Sequence, residues 1–172
     1  MTTFNTIKHR EIDAQFQAIN LTEFIFETPT HTDNDQIIED FIRSKHYSYE
    51  SLRDCIKREP KRGYLGQAFE IDKIDIHDFK KFNKQQTTNF LTDLCNDSFY
   101  EDNKDFFYLC DEYFKIHELF GDNTFYVISK DWFEDNDPKV REPARWCYTY
   151  YFLIISVDRI SNLLTYTEWT YD

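Results

Sequence analysis

The stretch from Trp146 to Val157 constrains the fold more than any other part of the sequence. In an extended chain Trp146, Tyr148, Tyr150, Phe152 and Ile154 face one way, while Tyr151, Leu153, Ile155 and Val157 face the other. Both faces are apolar, so the segment reads as a central strand covered on both sides. At about 12 residues it is shorter than the roughly 20 needed to cross a bilayer as a helix. After the break at Asp158–Asn162, the run Leu163–Tyr171 predicts an antiparallel hairpin with it. Thr124–Ser129 alternates as a further strand, and the turn-forming residues Glu134–Pro138 follow it.

The first half reads mainly as helices. Ile12, Phe16 and Ile19 recur at spacings of four and three, which predicts a helix over about Lys8–Phe24. Asp33 or Thr32 caps a second helix, with Ile37, Ile38, Phe41 and Ile42 as its apolar stripe. Ser48 caps a third, with Leu52, Cys55 and Ile56 inward and Pro60 as its stop. Lys57–Gly66 reads as an exposed basic turn, and Phe69, Ile71, Ile74 and Ile76 suggest one or two short strands. Further helices are expected over about Asp78–Leu94 and Asn103–Leu119, the latter stopped by Gly121. The expected class is α+β: a helical N-terminal half packed on a C-terminal, mainly antiparallel sheet of about three to five strands, ending in a β-hairpin. Residues 1–172 are read as one globular domain.

Composition narrows the function. Twenty Lys and Arg against 32 Asp and Glu give a net charge of −12, which argues against a non-specific nucleic-acid or anionic-membrane binder. The 17 Phe, 12 Tyr and 3 Trp supply enough apolar area for a core despite that charge. Only 3 Gly are present, so a glycine-rich phosphate cradle is not expected. The start of the chain has no charged segment followed by an apolar run, so no signal peptide is expected and the location is read as cytoplasmic.

No catalytic signature stands out. No GxSxG elbow occurs, and Cys147 with His117 is the one pair that could form a nucleophile site if the fold brought them together. Cys55, Cys95, Cys110 and Cys147 have neither CxxC nor zinc-finger spacing and read as reduced, packed thiols. Asp75 with His77, and Asp111 with His117, do not make the close pairs that metal ligation favours. Asp131–Glu142 has the length of a calcium loop, with acids at positions 1, 5, 7 and 12. Phe133 stands at position 3, however, and Asn136 where the turn glycine belongs. Glu70-Ile71-Asp72-Lys73 is the nearest approach to a nuclease cluster, and such a group recurs by chance in a chain with 30% charged residues. The expectation is no enzyme, no metal and no cofactor.

Charge distribution carries the functional reading. From Asn96 to Asp137 twelve acids face three lysines, which is −9 of the total −12, whereas Arg43–Arg62 holds seven bases and three acids. Phe99, Tyr100, Tyr108, Trp132 and Phe133 lie within the acidic stretch. Carboxylates that steer an encounter and aromatics that anchor it suit docking of a basic protein. The expected contact residues are Asp97, Glu101, Asp102, Asp105, Asp111, Glu112, Asp131, Trp132, Glu134, Asp135 and Asp137, with Trp132 as anchor.

An acidic, Phe/Tyr-rich α+β domain without catalytic residues, ending in an apolar hairpin, resembles the cytosolic immunity proteins of bacterial polymorphic toxin systems. These include the immunity partners of contact-dependent inhibition and type VI secretion effectors. The resemblance covers general character over the whole chain and rests on no motif. It implies a non-catalytic protein that binds a cognate, basic toxin domain and blocks its active site or substrate surface, without nucleic acid or membrane as partner. A phage-type DNA mimic is the alternative reading, against which the basic run Arg43–Arg62 counts; an unrecognised small enzyme is another.

Overall fold

The computed structural model describes residues 1–44, 46, 63–96, 103–117 and 123–171. Two long strands open the chain, β1 (Thr3–Ala14) and β2 (Gln17–Glu27), followed by helix α1 (Asn34–Ile42). The short strands β3 (Tyr64–Leu65) and β4 (Phe69–Glu70) pair with each other. After a 3-10 turn at Ile76–Asp78 come β5 (Lys80–Phe82), α2 (Lys84–Asn96) and α3 (Asn103–His117). Strand β6 (Thr124–Ser129) leads through a 3-10 turn at Lys130–Trp132 to the short helix α4 (Glu142–Cys147). Strands β7 (Tyr150–Asp158) and β8 (Leu163–Tyr171) end the fold.

Six strands form one antiparallel sheet in the order β1-β2-β8-β7-β6-β5. Strands β7 and β8 lie at its centre, and every residue of β7 is buried. The two apolar faces of β7 serve two separate cores, as the sequence pattern requires. Tyr151, Leu153, Ile155 and Val157 join Phe24, Phe26, Phe41 and the β3–β4 segment on one face. Tyr150, Phe152 and Ile154 join Trp169, Leu91, Phe106 and Tyr113 on the other, under α2 and α3. Aromatic edges fill both layers: Phe41 meets Phe4 and Phe24 with centroids 5.2 and 5.1 Å apart, and Phe106 meets Tyr150 at 5.5 Å.

The helical N-terminal half is overturned, and the fold is mostly sheet. Lys8–Phe24 forms most of the β1–β2 hairpin, in which Ile12 faces Ile19 directly across the strands. The seven-residue separation that mimics two helical turns is a cross-strand pair. Gln15 takes the left-handed conformation at the turn, φ +54°, without the Gly or Asn that would have announced it. Three further expectations are corrected. Trp146 and Cys147 belong to α4, which has a proline in its first turn, so β7 starts only at Tyr150. Phe79 and Phe82 precede α2, whose cap is Asn83: its Oδ1 accepts from the Gln86 N–H at 2.9 Å. Tyr64 and Leu65, expected in an exposed turn, are buried.

Other expectations stand. Asp33 caps α1, accepting from the Gln36 N–H at 2.8 Å, and Ile37, Ile38, Phe41 and Ile42 are buried. The β7–β8 hairpin and β6 lie where the alternation put them. The expected helix from Ser48 to Pro60 and the stop at Gly121 lie outside the described residues. No helix among the described residues is long and apolar enough to cross a membrane.

Candidate functional site

The sheet divides the acidic stretch into two surfaces. Asp105, Asp111 and Glu112 ride on α3, which packs Phe106, Leu109, Cys110 and Tyr113 against one core. The loop that carries Glu134, Asp135 and Asp137 belongs to the opposite side, where Phe133 and Ala144 pack against the other core. Asp97, Glu101 and Asp102 lie outside the described residues. The acids adjacent in sequence therefore do not form one contact face.

The loop surface is the more elaborately built of the two. Its backbone folds on itself, with the Asp137 N–H donating to the Glu134 carbonyl at 2.9 Å and the Val140 N–H to Asp137 at 3.2 Å. Arg145 on α4 donates to the carbonyl oxygens of Glu134 at 2.6 Å and Asp137 at 3.2 Å. Toward the sheet, Arg141 N–H donates to Ala68 at 2.8 Å and Glu70 N–H to Lys139 at 2.9 Å. The cations of this region are engaged within the protein. Lys139 donates to Asp78 at 2.6 Å, a contact that raises the lysine's pKa, and Lys73 pairs with Glu70 at 2.5 Å and donates to the Pro138 carbonyl at 3.1 Å. Arg141 lies 4.3 Å from the centre of the Tyr64 ring, and burial raises the Tyr64 phenol.

Glu134, Asp135 and Glu142 are exposed and make no ion pair among the described residues. Asp135 and Glu142 border a cleft of about 300 Å³ between the loop and the β3–β4 segment, with Lys73, Arg141 and Arg145 in its wall. Trp146 follows Arg145 on α4 and is 66% exposed. Trp132, the anchor expected from the sequence, is instead half-buried. Its ring packs on Phe90 at 5.8 Å, and the Lys80 ammonium sits 3.7 Å from its centroid. Asp131 pairs with Lys130 at 2.9 Å. Sequence reasoning missed Trp146 by placing it on a buried strand; the Glu142-Pro143 step was the available signal of a helix start.

On α3, Phe107 and Tyr108 are 50% and 49% exposed near Asp111. This is a second, smaller combination of aromatic and acidic groups on the other layer.

The arrangements weighed for catalysis do not assemble. Cys147 packs against one core, whereas His117 ends α3 on the layer covering the other face of the sheet. The calcium-like window uses its own groups: Phe133 packs on Phe69 at 5.9 Å, and Asp137 accepts from the Lys139 N–H at 2.8 Å. Asp75 accepts from the His77 N–H at 2.8 Å as the cap of a 3-10 turn. Among the described residues no three His, Cys, Asp or Glu side chains are grouped to hold a metal ion.

A polar cluster that the sequence did not signal lies beneath the β3–β4 segment. Tyr151 donates to Glu168 across β7 and β8 and accepts from the Gln67 N–H at 2.7 Å, while Tyr148 donates to the Gln67 side chain. Desolvation raises the Glu168 carboxyl to about 7, against the opposing pull of Tyr151 and the Gln67 N–H. Gly66, at φ +60°, makes room for the cluster. A Cβ there would overlap the Tyr151 hydroxyl and stand 2.7 Å from Glu168 Oε1 and 2.9 Å from Tyr166 Oη. These bonds pin the β3–β4 segment that forms one wall of the acidic cleft.

No family model matches the chain, and neither a curated protein nor a solved structure matches it.

Proposed function

We propose that the chain is a non-catalytic binding protein that neutralises a basic partner, in the manner of an immunity protein that covers the active site or substrate surface of a toxin domain. The observation that carries this reading is the exposed Trp146 on the helix that also carries Glu142 and that Arg145 ties to the loop of Glu134 and Asp135; the three carboxylates have no ion-pair partner among the described residues. An exposed indole supplies the large, rigid apolar contact typical of interface hot spots. The surrounding carboxylates steer a cationic partner and disfavour an acidic one. The loop is preorganised by Arg145, which limits the ordering entropy lost on association. This account moves the anchor from Trp132, inside the acidic stretch, to Trp146, which follows it.

Binding to the partner isolated from the native cell tests the reading by titration at two salt concentrations. Affinity is expected to fall as salt rises, and Glu134→Lys with Asp135→Lys is expected to lower both the affinity and its salt dependence. Unchanged affinity in that double variant would remove the loop from the interface.

A further inference from the structure

Glu168 on β8 makes no ion pair among the described residues. Its register partners, Asn20 on β2 and Leu153 on β7, are uncharged. On the same face Tyr151 of β7 donates to it, and Tyr166 stands two residues back along β8. The strap formed by β3 and β4 covers it with Gly66 and Gln67, and Tyr148 donates to Gln67 from beside them. The strap's charged Glu70 is paired with Lys73. Helix α1 reaches this face through Phe41, on the Tyr166 ring, and its Asp40 accepts from the Thr2 N–H. The remaining charged and titratable groups of the face are further off: His9, Glu11 and Asp13 on β1, one strand beyond β2, and His46 against Phe24.

Two observations give this cluster two states. The first is Tyr166, which is 7% exposed and whose hydroxyl has no hydrogen-bond partner among the described residues. Its oxygen and Glu168 Oε1 lie 2.9 and 2.7 Å from the one point where a Gly66 side chain would begin. An orphaned phenol is costly until an acceptor takes its proton, and an ionised Glu168 is such an acceptor. The second is the route from the carboxyl to the acidic loop. Gln67 N–H donates to Tyr151 Oη at 2.7 Å, the next carbonyl, Ala68, accepts from Arg141 N–H at 2.8 Å, and Glu70 N–H donates to Lys139 at 2.9 Å. Phe69 packs on Tyr151 at 6.0 Å and on Phe133 at 5.9 Å. The strap is fastened to the sheet beside Glu168 and to the loop one residue further on.

We propose that the β3–β4 strap is a pH-operated clamp on the acidic loop, released when Glu168 loses its proton. Its consequence for binding rests on the docking surface proposed above; its operation does not. A protonated, neutral carboxyl tolerates the cover of Gly66 and Gln67. The carboxylate needs solvent and a further donor: solvent reaches it when Gly66 lifts, and Tyr166 supplies the donor. The strap then leaves Tyr151, and Ala68 and Glu70 leave the loop. Desolvation raises the carboxyl to about 7 in the closed form, so the clamp holds below that pH and loosens above it. Partner affinity falls as the loop loses its order.

Magnetic resonance of the isotope-labelled free protein tests the clamp, with the Glu168 carboxyl followed by its carbon shift and the strap by amide exchange. Between about pH 6 and about pH 8.5 the Glu70 and Arg141 amides should lose roughly tenfold or more of their protection, while Ile154 at the sheet centre stays in the slowest class. Their shifts should move with the midpoint of the Glu168 carboxyl. Glu168→Gln should keep both amides protected throughout. Tyr166→Phe, which keeps the ring on Phe41, should raise the midpoint by about 0.5 unit by withdrawing a donor from the anion. Four results would overturn the proposal: a Glu168 midpoint near the ordinary 4.5, protection of Glu70 and Arg141 unchanged across the window, the same loss in Glu168→Gln, or an unchanged midpoint in Tyr166→Phe. No partner enters this experiment, so a clamp that fails leaves the docking surface standing, and a clamp that works in a protein without a basic partner overturns the docking surface alone.

Discussion

Arg145 donates from its guanidinium to the carbonyl oxygen of Glu134 at 2.6 Å, and this bond joins the acidic loop to the helix that carries Trp146. Replacing Arg145 by Ala should free the loop from α4. Amide exchange at Asp137 and Val140, whose N–H groups close the loop, should accelerate, with a stability loss of about 1–2 kcal/mol. Unchanged exchange at both amides would show that the loop holds its shape without this bond.

The two tryptophans should respond differently to truncation. Trp146→Ala removes an exposed ring and should change stability by no more than about 0.5 kcal/mol. Trp132→Ala breaks packing on Phe90 and the contact with Lys80, and should lose about 2 kcal/mol. Urea denaturation of both variants makes the comparison, and equal losses would contradict the placement of the rings.

Gly66 should not tolerate alanine. The left-handed backbone alone disfavours a side chain by about 1–2 kcal/mol, and overlap with the Tyr151 hydroxyl adds to it. A loss of about 3 kcal/mol in Gly66→Ala is expected from thermal unfolding, and a loss below 1 kcal/mol would contradict the close approach.

Glu168 sets a pH dependence of known sign. Its carboxyl loses its proton near the ordinary value of 4.5 when the chain is unfolded, but only near 7 when folded. Between these values the folded state holds the additional proton, so this stabilising contribution is full below 4.5 and is lost as pH rises through 7. Glu168→Gln should flatten the fall across this window by about 3 kcal/mol, as read from urea midpoints. A wild-type curve that rises through the window, with the variant identical to it, would contradict the buried state of this carboxyl.

Thiol reactivity should follow burial. Desolvation raises Cys95 to about 11 and Cys110 further still, and both face the core under α2 and α3. In a Cys55→Ser background at pH 8, Cys147, which is half-buried, should react with an aromatic disulfide before either of them. Prior labelling of Cys95 would contradict the packing of that layer.

What the sequence conveyed depended on whether local patterns matched tertiary partners. Tyr150–Val157 was legible because a strand buried on both faces has no polar alternation to confuse it. Helix α1 was legible because Asp33 caps an apolar stripe at helical spacing. The β1–β2 hairpin was hidden because Ile12 and Ile19 meet across a turn whose left-handed residue is Gln15. The acidic stretch signalled a charged surface without showing that the sheet runs between its parts. Glu168 and Gly66 lie 102 positions apart (168 − 66), and their proximity is a product of sheet order and the β3–β4 fold rather than of any short-range pattern.

The most direct test of the account is capture from the native cell lysate at low salt by the wild-type protein, with Glu134→Lys/Asp135→Lys/Asp137→Lys and Trp146→Ala as parallel baits. The account predicts one basic protein in near-equal amount on the wild type, displaced by high salt and lost from both variants. Capture of that protein undiminished by the variants, or of no protein at all, would contradict it.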